Sequence, residues 1–165
     1  MPDFTLIDQN SQKTRLADLR GNVCIADAIF TRCAGQCPIM SAAMEQIQEV
    51  LPAALPVKLI SFTTDAAYDT PAVLKKYGTR YEAQEGRWLF LTGDKAALRH
   101  VMVDGLKLSV VDKSPGEQDN AVDLFIHSSK LVLLDREGRI RGYYDGETKD
   151  SVAQIAADAK TLARQ

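Results

Sequence analysis

An α/β sandwich with parallel central strands and an antiparallel end is the fold class this sequence predicts. Two observations predict its order: apolar runs of strand length alternate with segments of helical periodicity, and the last third adds two strand-like segments joined by a turn before a final helix. A third fixes its size. The chain has 165 residues, 45% of them hydrophobic, enough for one domain over 1–165 whose core needs neither a metal nor a disulfide as a staple.

The N-terminal segment reads as a β-hairpin: Phe4-Thr5-Leu6-Ile7 alternates, Asp8 to Ser11 turns, and Lys13 to Leu16 returns. Asn22 to Phe30 is an almost unbroken apolar run, as expected of a central strand buried on both faces. From Pro38 to Leu51, Ile39, Met40, Ala43, Met44, Ile47, Val50 and Leu51 recur at helical spacing. Val57 to Phe62 predicts a second buried strand, and Asp69-Thr70-Pro71 supplies a capping pair and a proline for a helix reaching about Tyr81. Trp88 to Gly93 is the third strand, and Asp94 caps a helix from Lys95 to about Leu106. Residues 109–121, with Ser114-Pro115-Gly116, predict a surface loop. Phe125 to Leu134 and Arg139 to Tyr144 flank the turn Asp135-Arg136-Glu137-Gly138 as a C-terminal β-hairpin, and Val152, Ile155, Ala156, Ala159 and Leu162 form one face of the last helix. This is a thioredoxin-like three-layer sandwich with an N-terminal hairpin and a C-terminal hairpin plus helix.

Composition excludes several functions. A net charge of −2 without any Lys/Arg run offers no nucleic-acid footprint. Three cysteines are too few for a disulfide scaffold, and Cys24, inside Val23-Cys24-Ile25-Ala26, reads as a small core residue. No stretch approaches the roughly 20 apolar residues that span a bilayer, and no signal-peptide core precedes Phe4, so the chain itself is expected to be soluble.

The chemistry concentrates in Phe30-Thr31-Arg32-Cys33-Ala34-Gly35-Gln36-Cys37-Pro38, two cysteines three residues apart between a buried strand and a helix. Active groups of open α/β sheets gather at this end of the strands. Pro38 suits a first helical turn, which places Cys37 at the helix N-terminus, where N–H groups and the helix dipole favour thiolate. The gap of three, wider than a gap of two, leaves room for an ion between the sulfurs. A disulfide, a redox pair and a metal clamp all fit the pair alone.

Of the two histidines, His127 stands near the start of the strand expected beside the active-site strand, whereas His100 sits on an exposed-looking helix. Two thiolates and an imidazole suit Cu(I) and Cu(II) better than zinc, since structural zinc takes four protein ligands and catalytic zinc needs an organised open position; zinc is the lesser alternative. No peroxidatic arrangement of proline, threonine and cysteine precedes Cys33, which argues against a thiol peroxidase.

Four blocks in order carry a family resemblance: Thr31-Arg32-Cys33 through Cys37-Pro38; Ser61-Phe62-Thr63-Thr64-Asp65 with Tyr68-Asp69-Thr70-Pro71; Trp88 to Gly93; and His127-Ser128-Ser129 running to Leu134-Asp135. The chain resembles the SCO/SenC copper-binding proteins. That resemblance implies copper held by Cys33, Cys37 and His127, and a role in copper delivery to cytochrome c oxidase or in keeping its copper-site cysteines reduced. The implied partners are the oxidase's copper-site subunit, other copper carriers and thiol reductants. It also implies a monomer on the periplasmic or other extracytoplasmic side of a membrane, anchored through a tether or signal that this chain does not carry. The family's Ser-x-Asp-Pro-x-x-Asp-Thr-Pro is loosened here to Thr63 through Pro71, which leaves Asp65 either behind the metal ligands or at a helix start.

Overall fold

The computed structural model describes residues 1–112, 125–126 and 128–165. The chain opens with the expected hairpin, β1 (Thr5–Ile7) and β2 (Lys13–Arg15). Asp8 closes its turn, Oδ1 accepting from the N–H groups of Asn10 and Gln12 at 2.8 and 2.9 Å. One turn of helix, α1 (Leu16–Leu19), follows directly, with Asp18 bonded back to Arg15. The sequence shows no helical period over so short a span.

Seven consecutive buried residues make β3 (Val23–Ile29) the central strand. It leads into α2 (Gln36–Val50), then β4 (Val57–Thr63), α3 (Pro71–Thr79) and β5 (Trp88–Leu91). Thr70 caps α3, accepting from Val73 N–H, whereas Asp69 turns inward instead of sharing the cap. Asp94 caps α4 (Lys95–Arg99) as expected, but the helix widens over His100–Gly105 into a π-helical segment. Beyond it, β6 (Val111–Asp112) pairs with β7 (Phe125–Ile126).

The sequence predicts one strand from Phe125 to Leu134; the structure divides it between two sheets. After β7, strand β8 (Lys130–Leu134) joins the main sheet and turns into β9 (Ile140–Asp145), followed by α5 (Lys149–Ala163). Pairing with β6 on one side and with β3 on the other competes for this stretch, a choice that a run of apolar residues does not encode. His127 and residues 113–124, most of the expected surface loop, lie outside the described residues.

The main sheet has the order β5-β4-β3-β8-β9, with β3, β4 and β5 parallel and β8 antiparallel to both β3 and β9. Strand alternation sorts its side chains into two cores. Val23, Ile25, Leu59, Trp88, Phe90, Leu131 and Leu133 pack under α2, α3 and α5. Ala26, Ala28, Ile60, Phe62, Leu91 and Val132 pack under the N-terminal hairpin, α4 and its π-helical extension. Cys24 belongs to this second core, and burial pushes its thiol up to about 12, as expected of an inert packing residue. Among the described residues no helix is long and apolar enough to cross a membrane.

The edge at β5 is covered by the hairpin. Ile7 and Thr92 exchange backbone hydrogen bonds at 2.8 and 2.9 Å, and Gln9 extends the pairing with its side chain, donating to Trp88 O and accepting from Phe90 N–H. An amide side chain thereby stands in for a missing strand, and the open edge is blunted.

Candidate functional site

Strand β3 ends at Ile29, and Phe30 to Gly35 carry the chain to α2 with Gly35 as its N-cap. The helix begins at Gln36, so Cys37 lies within its first turn. Neither cysteine is in a disulfide, and Cys33 is half-buried and Cys37 fully buried. The Cys37 N–H points at Cys33 Sγ across 3.5 Å, and the Cys33 N–H donates to Phe30 O at 3.2 Å.

The expected thiolate preference of Cys37 is reversed. Burial pushes its thiol far up, and the hydrogen bond with the Cys33 side chain and the negative charge of the buried Asp27 on β3 add to the rise, against a backbone hydrogen bond with Phe30. Desolvation of a sulfur at no exposure outweighs a helix terminus whose Cys37 N–H is turned toward the other cysteine. A thiolate at Cys37 therefore needs a cation beside it. Behind the pair, Ser41 Oγ and Tyr77 Oη are 2.7 Å apart, and the Tyr77 hydroxyl is itself pushed up, chiefly by burial.

The loop before Cys33 is anchored to the segment between β4 and α3. Asp69, fully buried, accepts from both the backbone N–H and the hydroxyl of Thr31 and from the Thr63 hydroxyl at 2.5 Å. Burial raises the Asp69 carboxyl above its ordinary range, with the hydroxyl and N–H donors working against that rise. Asp65 holds the next residue along. Arg32 donates from Nε and Nη2 to Asp65 Oδ2 at 3.0 and 2.6 Å, and its guanidinium carbon lies 4.3 Å from the centre of the Tyr68 ring. Asp65 is thus neither a helix start nor a plain cap.

The structure brings Cys33 and Cys37 together at the carboxyl end of β3. His127 lies outside the described residues; its described neighbours are β7, which ends at Ile126, and β8, which begins at Lys130. Pairing of Ala26 with Val132 and of Cys24 with Leu134 means that β8 enters the sheet at the end of β3 that leads to the cysteines. His100 bonds Asp104 at 2.8 Å on an exposed surface, as expected of a residue on an exposed helix. Glu45, Glu49 and Glu82 form a second group of ligand-type side chains, but their oxygens suit hard cations rather than soft ones.

Sequence reasoning missed the clamp of Asp69 on Thr31 and the engagement of Arg32 by Asp65 and Tyr68. The available signal was a pair of acids four residues apart after a buried strand, which an N-cap explained more simply.

The SCO1/SenC family model matches residues 1–164. The chain belongs to the SCO1/SenC family. A protein of Stutzerimonas stutzeri described by name as copper-binding is 32% identical over 145 residues, 87% of this chain and 68% of that one. The crystal structure of a SCO1/SenC family lipoprotein from Bacillus anthracis superposes with a TM-score of 0.86 at 27% identity, covering 99% of this chain and 94% of that one. BsSco, a member of the Sco family of cytochrome c oxidase assembly proteins in which a disulfide switch was identified, superposes with a TM-score of 0.82 at 32% identity, over 99% and 92% of the two chains. The thioredoxin-like fold expected of this SCO1/SenC member is therefore shown, hairpins included.

Proposed function

We propose that this SCO1/SenC protein is a copper-binding chaperone that holds Cu(I) or Cu(II) through Cys33, Cys37 and His127 and serves assembly of the copper site of cytochrome c oxidase. One observation carries the reading. A half-buried and a fully buried thiol meet at the end of the central strand, where a thiolate at Cys37 is costly unless a cation compensates it. A soft monovalent ion supplies that compensation, and an imidazole beside two sulfurs extends the site to Cu(II). The S. stutzeri relative's name and the assembly role stated for BsSco's family agree with this chemistry.

The partners on this reading are the copper-bearing subunit of the oxidase, other copper carriers and thiol reductants, met by a monomer whose single domain spans 1–165. A location on the extracytoplasmic side of a membrane, periplasmic where there is a periplasm, with the protein membrane-anchored, accords with the B. anthracis relative being a lipoprotein.

Copper titration of the reduced protein tests the proposal. Wild type binds one equivalent of Cu(I), and with Cu(II) it develops a thiolate-to-copper absorption band. Cys33→Ser and Cys37→Ser lose both, and His127→Ala loses the Cu(II) band. An unchanged band in His127→Ala overturns the three-ligand site.

The half-exposed Cys33 over the buried Cys37 favours a second reading, thiol–disulfide oxidoreductase. The exposed sulfur would open a target disulfide and the buried one would resolve the mixed disulfide. Reductase activity that survives His127→Ala but neither cysteine substitution marks this role.

A further inference from the structure

We propose that Arg32 is a positioning residue for Cys33: tied to Asp65 and covered by the Tyr68 ring, it holds the Cys33–Cys37 pair open as a dithiol and so sets the pair's disulfide equilibrium. This deepens the reading of the two cysteines as the working site, but does not depend on copper.

Arg32 immediately precedes Cys33, and its two hydrogen bonds converge on a single oxygen, Asp65 Oδ2. The pair differs from a solvated surface ion pair, whose partners wander and contribute little. The Asp65 side chain is 4% exposed and that of Arg32 26%, and the ring of Tyr68 lies against the flat guanidinium. The anchor itself is fixed through its backbone: the Asp65 N–H donates to Thr63 Oγ1 at 3.0 Å, and its carbonyl accepts from Tyr68 and Asp69 at 3.1 and 2.8 Å. With Thr31 held by Asp69, both residues before Cys33 are bound to the β4–α3 connection, an element separate from the helix that carries Cys37.

A disulfide requires the two sulfurs at about 2.0 Å with the β-carbons roughly 3.5–4.5 Å apart. Here the two cysteines are not joined by a disulfide, and Cys37 sits in the buried first turn of α2. Closure therefore falls to Cys33. Its movement pulls on Arg32, and the charge-assisted bonds to Asp65 oppose it. The oxidation concerned transfers two electrons from the two thiols to glutathione disulfide: the Cys33–Cys37 bond forms, the glutathione S–S bond breaks, and two glutathione thiols take up the protons.

Metal-free protein equilibrated across glutathione redox buffers, quenched by alkylation and read by mass, tests the proposal, with buried Trp88 fluorescence confirming the fold of each variant. Arg32→Met and Asp65→Ala are each expected to shift the equilibrium about tenfold toward the disulfide, and the double variant no further, because the two side chains act as one latch. Arg32→Lys keeps the charge but has neither the planar group for Tyr68 nor two nitrogens for Oδ2, and is expected to fall nearer Arg32→Met than wild type. An unshifted equilibrium in Arg32→Met, additive shifts in the double variant, or a wild type that forms no Cys33–Cys37 disulfide overturns the proposal. Failure of copper binding alone overturns the chaperone reading and leaves this equilibrium to be read.

Discussion

Asp69 accepts hydrogen bonds from both the backbone N–H and the hydroxyl of Thr31, 38 residues earlier in the chain and two before Cys33. With Thr63 as a third donor, one buried carboxylate joins the ends of β3 and β4 and fixes where the cysteine loop departs from the sheet. Asp69→Ala leaves the buried Thr63 hydroxyl and the two partly buried donors of Thr31 without this acceptor and is expected to cost about 2–4 kcal/mol. Urea denaturation of the reduced protein measures it.

The pH dependence of that clamp has a definite sign. The folded Asp69 carboxyl is raised above its ordinary value of 3.8, mainly by burial, so the folded state holds this proton more tightly than the unfolded one. Its contribution to stability is fullest below the ordinary carboxylate range and falls as pH rises from there to the raised value, levelling off above. Asp69→Asn is expected to remove this slope, as seen in thermal midpoints taken across that window.

Asp135 shows the opposite sign. Burial works to raise its carboxyl, but the N–H groups of Arg139 and Glu137 and the guanidinium groups of Arg139 and Arg141 together lower it below 3.8. Its contribution is complete above the unfolded value and is lost as pH falls through the folded one. Asp135→Asn is expected to destabilise the β8–β9 hairpin by about 1–2 kcal/mol at neutral pH and to flatten the acid limb of the stability curve. Chemical denaturation at neutral and acidic pH reads both.

The two working cysteines differ in access and in charge cost. Alkylation of the reduced, metal-free protein with iodoacetamide is expected to modify Cys33 at least about tenfold faster than Cys37, because the buried thiol resists ionisation. Peptide mass mapping over time distinguishes them. Equal rates would contradict the burial of Cys37.

Gln9 replaces strand pairing at the edge of β5 with two side-chain bonds. Gln9→Ala leaves the Trp88 carbonyl and the Phe90 N–H without that partner and is expected to cost about 1–3 kcal/mol. A lowered thermal midpoint together with faster amide exchange at Phe90 is the expected signature.

Much of the fold was legible because burial imposes periodicity. The unbroken apolar run over Val23–Ile29 and the helical spacing of Met40, Ala43, Met44 and Ile47 mark elements that pack on two faces and on one. Cys33 and Cys37 were legible as a pair because they are close in the chain. The division of 125–134 between two sheets was not, since one partner, β3, lies far earlier in the chain and the other, β6, is two residues long and carries no pattern of its own. Asp69 looked like part of a helix cap, and Asp65 like a helix start or a residue behind the metal ligands, because neighbouring residues reveal local capping but not the distant partner a side chain meets.

By itself, then, the sequence determined the order of the main strands and helices and the position of the dithiol at a strand end. It does so because hydrophobic patterning and turn chemistry act over a few residues. Tertiary structure alone decided that Cys37 is buried rather than presented as a thiolate, and that the loop before Cys33 hangs from Asp69 and Asp65. Desolvation and charge-assisted hydrogen bonding depend on what the fold brings within a few ångströms, and here those partners arrive from 33 and 38 residues away.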